Sequence, residues 1–432
     1  MAMKHTRQGP LPTPLVGDAS QLAEWAFAAC PGKGLNYPEL SQWVFGHPPE
    51  QWLVGCWRKA YVGFSSDPAV RRAGASAGVI TQTLMHLLET GKVAGAVVVK
   101  QGSPKPWEAE PIIATTPKQV MECTQSVYVP VPVNTILAEM ERFQGRLAYV
   151  GLPDQVASLR RLQQLGHPGA LRVDYVLGPY CGMAMYQKAI ESFLRANGVK
   201  RIEDVAELRY REGEWPGYLQ VKTHSGKVLR AAKFYYNYLI PFYVTRSTLY
   251  SVDFTNELTD ISVGDAWHPK YEKEGKGFSV VLARTAKGEQ LLNEMQTQRL
   301  VELDEASLQE AMSMHGHMLD FKKRGAFIRM GWRRRMGKRV PDYGYKPVRI
   351  APSRRLAEAV IYTVFLVCGS RVARRLVEFV PLSVLGPMFN VLRKSWKNMS
   401  KPTKRAGLRD YRVQTWPGRK VIATPEGGKS AR

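Results

Sequence analysis

The sequence predicts an α/β fold, with α+β elements: a parallel βαβ core, an antiparallel hairpin region, and a basic, mostly helical C-terminal extension. Three observations predict it. Between residues 66 and 180, apolar strand-like runs alternate with helical periodicity across Gly-bearing turns, the rhythm of parallel strands joined by crossover helices. After Glu207, two alternating runs flank a short polar turn, as in an antiparallel pair. Finally, the charge is lopsided: 28 of the 61 Lys and Arg but only 5 of the 37 Asp and Glu lie in residues 321–432, so a net charge of +24 leaves +1 for the first 320 residues. The body is near neutral and the basicity belongs to the extension. With 432 residues, 44% of them apolar, the chain can bury more than one core. The expected division is an N-terminal irregular segment (1–65), a core (66–305) and the basic extension (306–432).

Residues 1–65 are rich in Pro, Gly and aromatic residues, with one short helix expected near Gln21–Ala29. Five cysteines (Cys30, Cys56, Cys123, Cys181, Cys368) are scattered, with no C-x-x-C. That is neither a disulfide framework nor a zinc or iron–sulfur signature, so a reducing cytosol is the expected compartment. Cys30 before Pro31-Gly32 could close a ferredoxin-like cluster, but three further thiolates would be needed nearby; a plain buried thiol is the simpler reading. The N-terminus lacks the apolar core of a signal peptide, and no apolar run reaches the roughly 18 residues of a spanning helix. A cytoplasmic protein, free or attached to the inner face of the membrane, is expected.

The stretch RRAGASAGVITQTLMHLLETGKVAGAVVV (71–99) places small residues from Gly74 to Gly78 ahead of a helix with one apolar face; Gly91 ends it, and a buried strand follows. A small-residue turn at a helix N-terminus, with Arg71 and Arg72 just before it, can hold a phosphate on free N–H groups. Close packing alone would also call for small residues. Further on, a helix near Val133–Phe143, a strand Leu147–Val150, the turn GLPDQ, a helix Val156–Leu165 and a strand Leu171–Leu177 continue the pattern. Ligands of such sheets sit beyond the strands' C-terminal ends, where Asp154 and Cys181 both fall. A strand-end Asp is as often a helix cap, and a single Cys is usually inert packing.

From Glu207, RYREGEWPG leads into a strand Tyr218–Thr223, the turn His224–Lys227 and a second strand. The aromatic cluster Phe234, Tyr235, Tyr236, Tyr238, Phe242 and Tyr243 can stack on a ring or fill a core. Asp253–Trp267, DFTNELTDISVGDAW, joins an apolar strand to a Gly-Asp turn and a Trp; KGFSVVLART (276–285) is a buried strand and Lys287–Gln296 a helix.

Four of these segments, RRAGASAGVITQTLMHLLETGKVAGAVVV, YVGLPDQVASLRRL, RYREGEWPG and DFTNELTDISVGDAW with KGFSVVLART, occur in order. The chain in this respect resembles the beta subunits of coenzyme F-420 hydrogenases and dehydrogenases, a family that includes ferredoxin-dependent chlorophyll-pathway reductases. The resemblance covers about residues 60–300 and implies a flavoprotein that carries FAD and passes hydride or electrons, usually through 4Fe-4S clusters. It implies phosphate contacts from Arg71, Arg72 and Ala75-Ser76-Ala77-Gly78, and a flavin-ring site shaped by Gly264, Asp265 and Trp267. Asp154, Cys181 and Asp265 are the expected catalytic residues. The chain departs from the family where cysteines are expected: Asp154 stands in Gly-x-Pro-Cys-Gln, Thr248 and Ser251 stand in a C-x-x-C, and only Cys181 remains of the ligand set that the resemblance implies. Hydroxyls do not replace thiolates on a cubane cluster, so FAD is expected without 4Fe-4S and with no other metal. The expected partners are a nicotinamide or deazaflavin donor or a redox partner protein, in a hetero- or homo-oligomer. The alternative is a catalytically degenerate structural or regulatory subunit of a redox or biosynthetic complex.

In the extension, KKRGAFIRMGWRRRMGKR (322–339) interleaves cations with apolar residues, Leu356–Cys368 reads as a short apolar helix, and Leu376–Leu392 is apolar but interrupted by Pro381 and Pro387. Cations alternating with apolar blocks suit an anionic membrane surface over residues 321–420, or a partner protein, better than nucleic acid. Packing on the body as a basic outer layer remains an open alternative.

Overall fold

A computed structural model describes residues 2–6, 9–13 and 23–417. Strands β1 (Ala2–Thr6) and β2 (Gly9–Thr13) form a hairpin, and the helix expected near Gln21–Ala29 is seen over Ala23–Ala28, its first two residues lying outside the described ones. The apolar runs then build one eight-stranded sheet from β3 (Lys59–Ser65), β4 (Gly95–Gln101), β5 (Ala109–Ala114), β6 (Leu147–Val150), β7 (Val173–Pro179), β11 (Ile261–Asp265), β12 (Ser279–Ala283) and β13 (Val301–Ala306). Their spatial order is β13-β3-β12-β11-β7-β6-β4-β5. The four strands β11, β7, β6 and β4 run parallel, and antiparallel strands flank them on both sides.

Helices cover both faces, which is why the central strands are apolar on both. Ala96 and Val98 of β4 pack with Leu84 and Leu87 of helix α1 (Val79–Glu89). Val97 between them points the other way, into a core with Val156 and Leu159 of helix α2 (Pro153–Gln164). Helix α3 (Ala286–Thr297) joins the first face through Leu291 and Leu292. The hairpin region is a separate antiparallel sheet of β8 (Val205–Glu212), β9 (Tyr218–Thr223) and β10 (Val228–Ala232). Of the aromatic cluster, Tyr236, Tyr238 and Tyr243 are buried in this sheet's own core.

The extension begins with helix α4 (Leu308–Asp320), a π-helical turn Phe321–Gly325 and helix α5 (Ala326–Arg335). Here the structure corrects the expectation of a cation-lined surface. Lys322, Lys323, Arg324, Arg329 and Arg354 are buried. Lys323 pairs with Glu257, Arg324 with Asp320, Arg329 with Glu358, and Arg354 with Asp320 and Glu358, both at 2.8 Å. Acids from the body and from the extension meet these cations because a buried charge is tolerated only when paired. Helices α6 (Pro352–Cys368), α7 (Arg371–Leu376) and α8 (Leu382–Arg405) follow, and β14 (Tyr345–Pro347) pairs with β15 (Val413–Thr415). Pro381 precedes α8, as expected, but Pro387 lies within it: a proline early in a helix costs one hydrogen bond, to the carbonyl four residues before. The tail from residue 418, part of the expected basic segment, lies outside the described residues. Among those, no single helix is long and apolar enough to cross a membrane; α6 and residues 371–379 pass only as a pair bent by 65°.

Removing Arg354 would take away one of the two cations paired with each of Asp320 and Glu358, leaving Arg324 and Arg329. Arg354→Ala is expected to lower unfolding stability in urea by about 3–5 kcal/mol, whereas Arg334→Ala, at an exposed position, should change it by less than about 0.5 kcal/mol.

Candidate functional site

A cavity of about 1380 Å³ opens at the C-terminal ends of the parallel strands. Val98 and Val99 of β4, Val150-Gly151 after β6, Pro179 to Gly182 after β7, and Gly264-Asp265 of β11 all line it. Gly74, Ala75, Ser76 and Gly78, with Val79 to Thr81 of the first turn of α1, form another wall. First-turn amides have no helical carbonyl to bond. The turn has little room for side chains: a Cβ on Gly74 would lie 2.6 Å from the Gly78 nitrogen, and Gly78, at φ +76°, would place one 2.6 Å from the Val70 carbonyl. At Gly264 a Cβ would run into the Tyr180 ring at 2.3 Å.

Asp265, at the end of β11, is held by three residues of the hairpin region and its exit. Its Oδ1 accepts from Trp215 Nε1 at 2.9 Å and lies 3.5 Å from Arg211 Nη2; Lys233 Nζ is 3.8 Å from Oδ2. Burial pushes this carboxyl upward, but Arg211, Lys233 and the Trp215 bond outweigh it and hold the pKa at about 2. Asp265 is therefore a fixed anion, able to orient cations and accept hydrogen bonds but not to donate a proton near neutral pH. Arg211 also donates to the Tyr128 hydroxyl at 3.3 Å. Burial would raise that phenol, and Lys233 and Arg211 bring it below its ordinary value. The Trp215 and Trp267 rings lie 4.7 Å apart. His315 Nε2 is 2.7 Å from the Asp265 carbonyl oxygen. Burial lowers its pKa to about 4, so the ring is neutral at pH 7, and the carbonyl assigns its proton to Nε2.

A second group surrounds the buried Lys322. Its ammonium donates to the Thr248 carbonyl at 3.0 Å and to Ser251 Oγ at 2.6 Å, and Cys181 and Asp154 are its leading attractive electrostatic partners. Burial raises Asp154 to about 6, with Lys322 opposing and Asp253 reinforcing the shift, and raises Cys181 to about 11. Thus the four positions where the family resemblance implies cluster ligands converge on a cation. One thiol, one carboxyl and two hydroxyls do not fit a 4Fe-4S cluster, whose irons need thiolates, and Lys322 bonds Ser251 Oγ and the Thr248 carbonyl there.

Of the residues expected from sequence, Ala75, Ser76, Gly78, Cys181, Gly264, Asp265 and Trp267 line the one cavity. Ala77 is fully buried behind the turn. Arg71 and Arg72 are corrected: neither lines the cavity. The Arg71 guanidinium stacks 3.5 Å over the Phe64 ring and donates to the Gly277 carbonyl, and Arg72 pairs with Glu214 at 3.2 Å on the surface. They precede the turn on a helix, Pro68–Ala73, that turns them away from it. Asp154 lies in the first turn of α2 without capping it, a role taken by Gln155, and joins Lys322 rather than the cavity wall. Sequence reasoning missed Tyr128, Arg211, Lys233, His315 and Lys322. Of these, Arg211, inside RYREGEWPG, and Lys322, at the start of KKRGAFIRMGWRRRMGKR, lay in segments already singled out.

Residues 60–138 match the N-terminal part, and residues 144–309 the C-terminal part, of the family described as coenzyme F420 hydrogenase/dehydrogenase, beta subunit. Among similar proteins are a coenzyme F420-dependent sulfite reductase of Methanocaldococcus jannaschii (25% identical over 246 residues, 54% of this chain and 36% of that protein) and the coenzyme F420 hydrogenase subunit beta of Methanothermobacter thermautotrophicus (22% over 249 residues, 56% and 82%). The coenzyme F420 hydrogenase subunit beta of Methanococcus voltae is 24% identical over 246 residues, 56% of this chain and 82% of that one. The chain thus spans about a third of the length of the sulfite reductase. A chain in the structure of the F420-reducing [NiFe] hydrogenase complex from Methanosarcina barkeri shares the fold, with a TM-score of 0.53 at 20% identity over 68% of this chain and 98% of that chain.

Two measurements test the Lys322 group. A carboxyl raised from an unfolded value near 3.9 to about 6 gives stability that is complete below pH ~4 and is lost as pH rises through 6. Asp154→Asn should therefore gain on the wild type between pH 5 and pH 8, by about 1.4 kcal/mol in urea unfolding; equal differences at both pH values would refute the shift. Anaerobically purified protein should carry well under one iron per chain, and roughly four with matching sulfide would contradict the donor-set argument.

Proposed function

This chain belongs to the family of coenzyme F420 hydrogenase/dehydrogenase beta subunits, an oxidoreductase family, and we propose that it is an FAD-dependent oxidoreductase working without an iron–sulfur relay. One observation carries the proposal: a single cavity, beyond the C-terminal ends of four parallel strands, collects the small-residue turn Gly74–Gly78 and the segment Gly264–Trp267. Ligands of open α/β sheets bind at such strand ends.

The lining suits an aromatic, phosphate-bearing cofactor. The α1 N-terminus offers backbone amides to a phosphate, and Ser76, whose hydroxyl donates to the Phe278 carbonyl at 3.0 Å, fixes that turn against β12. Trp267, Tyr128 and Tyr236 present ring surface. Arg211 and Lys233 bring positive charge to the wall, and Asp265 holds them in place. FAD, when bound, would supply hydride and single-electron chemistry. The chain's own part is to bind it, orient it and exclude water. Cys181, kept as a thiol by burial, and neutral His315 are lining groups that carry a proton at pH 7.

The relatives named for coenzyme F420 support a deazaflavin as electron donor, with a nicotinamide as the competing donor. Those named as subunits support a redox partner protein in a hetero-oligomer. The purified protein is expected to show flavin absorbance and to release close to one FAD per chain. Ser76→Asp, which puts a negative charge where phosphate would sit, should weaken FAD binding at least about tenfold. A colourless protein that takes up no FAD on reconstitution would overturn the proposal, and with a stably bound redox partner it would point instead to a structural subunit.

A further inference from the structure

The cavity has a second half that the family match does not reach. Its far wall comes from α6 and α8, with Ile361, Phe365, Leu385, Phe389 and Trp396 among its apolar surfaces. Val364, Met388, Leu392 and Met399 also line it, yet they are 44%, 48%, 59% and 72% exposed. Residues that are both lining and exposed form a mouth, and here one side of it is aliphatic, while Lys394, Ser395, Lys397 and Glu272 make up the rest. The volume of about 1380 Å³ also exceeds the roughly 300–1,000 Å³ of a pocket for one drug-sized ligand.

The same stretch of chain also exposes Leu366 on α6, Val372 and Leu376 on α7, Phe379 just after it and Val391 on α8, with Phe379 83% exposed. Singly exposed apolar residues are ordinary, but a run of them along α6–α8 marks an interaction surface. Next to it lies a groove of about 1030 Å³ that shares Pro241, Phe242 and Phe365 with the cavity. Seven cations line that groove and Glu378 is its one acid, already paired with Arg195 at 2.6 Å. Lys188, Arg246, Arg371 and Arg375 in the groove make no ion pair among the described residues. On α6–α8, Glu358 is also neutralised, by Arg329 and Arg354, so the outer charge of these helices is entirely positive.

We propose that α6–α8 dock this protein on an anionic bilayer leaflet, with the groove taking lipid phosphate and the aliphatic side of the mouth admitting the hydrocarbon chain of a membrane amphiphile into the far half of the cavity. The arrangement is that of an interfacial element: apolar side chains inserted shallowly, cations at headgroup level. Nucleic acid suits the surface less, because α6–α8 expose aliphatic residues and a single large aromatic, Phe379, where base stacking needs rings. The inference deepens the flavin reading by naming the class of second ligand, but its test needs no flavin.

The test uses the full chain and phosphatidylcholine vesicles with phosphatidylglycerol as the minor component. The protein should float with these vesicles and bind pure phosphatidylcholine at least tenfold more weakly. Lipid brominated along its chain should quench tryptophan fluorescence, and Trp396→Phe should remove most of that quenching. Met388→Asp/Leu392→Asp should abolish the quenching, and Arg371→Glu/Arg375→Glu should weaken flotation at least tenfold, with thermal midpoints confirming that both variants fold. Should a variant not fold, the wild-type flotation and quenching still decide. No flotation, flotation indifferent to lipid charge, unchanged quenching in the mouth variant, or tight binding to random duplex DNA in place of vesicles would each overturn the proposal. Flavin content, measured on the same samples, is a separate readout: a colourless protein that floats and is quenched keeps this inference while losing the flavin, and a yellow protein that does not float does the reverse.

Discussion

The structure depends on a buried polar loop, Asp253–Asp260, that fastens the C-terminal ends of the parallel strands to one another. Asn256 Nδ2 donates to the Gly151 carbonyl after β6 at 2.7 Å and to the Pro179 carbonyl of β7 at 3.2 Å. Gly178 has to be glycine, since a Cβ there would lie 1.9 Å from that amide. Both carboxylate oxygens of Asp253 accept loop amides, of Asn256 and Glu257. Asp260 accepts from the Val176 amide at 2.8 Å and pairs with Arg160 at 3.2 Å. Such groups would be costly to bury without partners. With partners, they fix where Gly151, Cys181 and Asp265 stand around the cavity, so the loop that looks like an acidic surface segment is what positions the site.

Two buried carboxyls near that loop have opposite fates, and the difference is local stoichiometry. Asp265 has two cations and an indole N–H within reach and stays ionised. Asp154 shares one ammonium with Cys181, Ser251 and Thr248, and has Asp253 nearby, so burial prevails and its pKa rises. The first arrangement gives the cavity wall a constant charge pattern. The second gives the neighbouring compartment one group that titrates near neutrality. A compartment holding a lysine side chain leaves the cavity's own lining to carry any redox chemistry.

Much of this was legible in the chain. The buried strands at Gly95–Gln101 and Ser279–Ala283, the helix at Val79, and the strand-end turns follow from apolar runs and glycines, which act locally. The convergence of Ala75, Ser76 and Gly78 with Gly264, Asp265 and Trp267 followed from the family resemblance, because each segment alone is a common turn. What local pattern could not show was side-chain direction and distant pairing. Arg71 and Arg72 adjoin the turn in sequence, but their helix carries them onto Phe64 and Glu214. Lys322 lies about 70 residues from Ser251 and sits in a run whose neighbours are equally basic, so nothing in the run distinguishes an inward cation from an outward one. Pro387 looked like a break because composition does not reveal how early in a helix a proline falls.

That inward–outward split explains how a segment of net charge +23 can fold onto a neutral body. Lys323, Arg324, Arg329 and Arg354 each meet a carboxylate in the interior, and those pairings hold α4, the π-helical turn, α5 and the start of α6 against the core. Breaking one would leave a buried ion, so this half of the extension is bound to the body by charge. From α7 onward the described residues include only two acids, Glu378 and Asp410. Glu378 and Glu358 are already engaged, and Lys188, Arg246, Arg371 and Arg375 of the groove have no ion-pair partner among the described residues. Self-repulsion among such cations opposes compaction, and an anionic surface relieves it. The extension thus has two halves under one composition, an inner half neutralised by the protein itself and an outer half whose charge and apolar surface are left for something outside it.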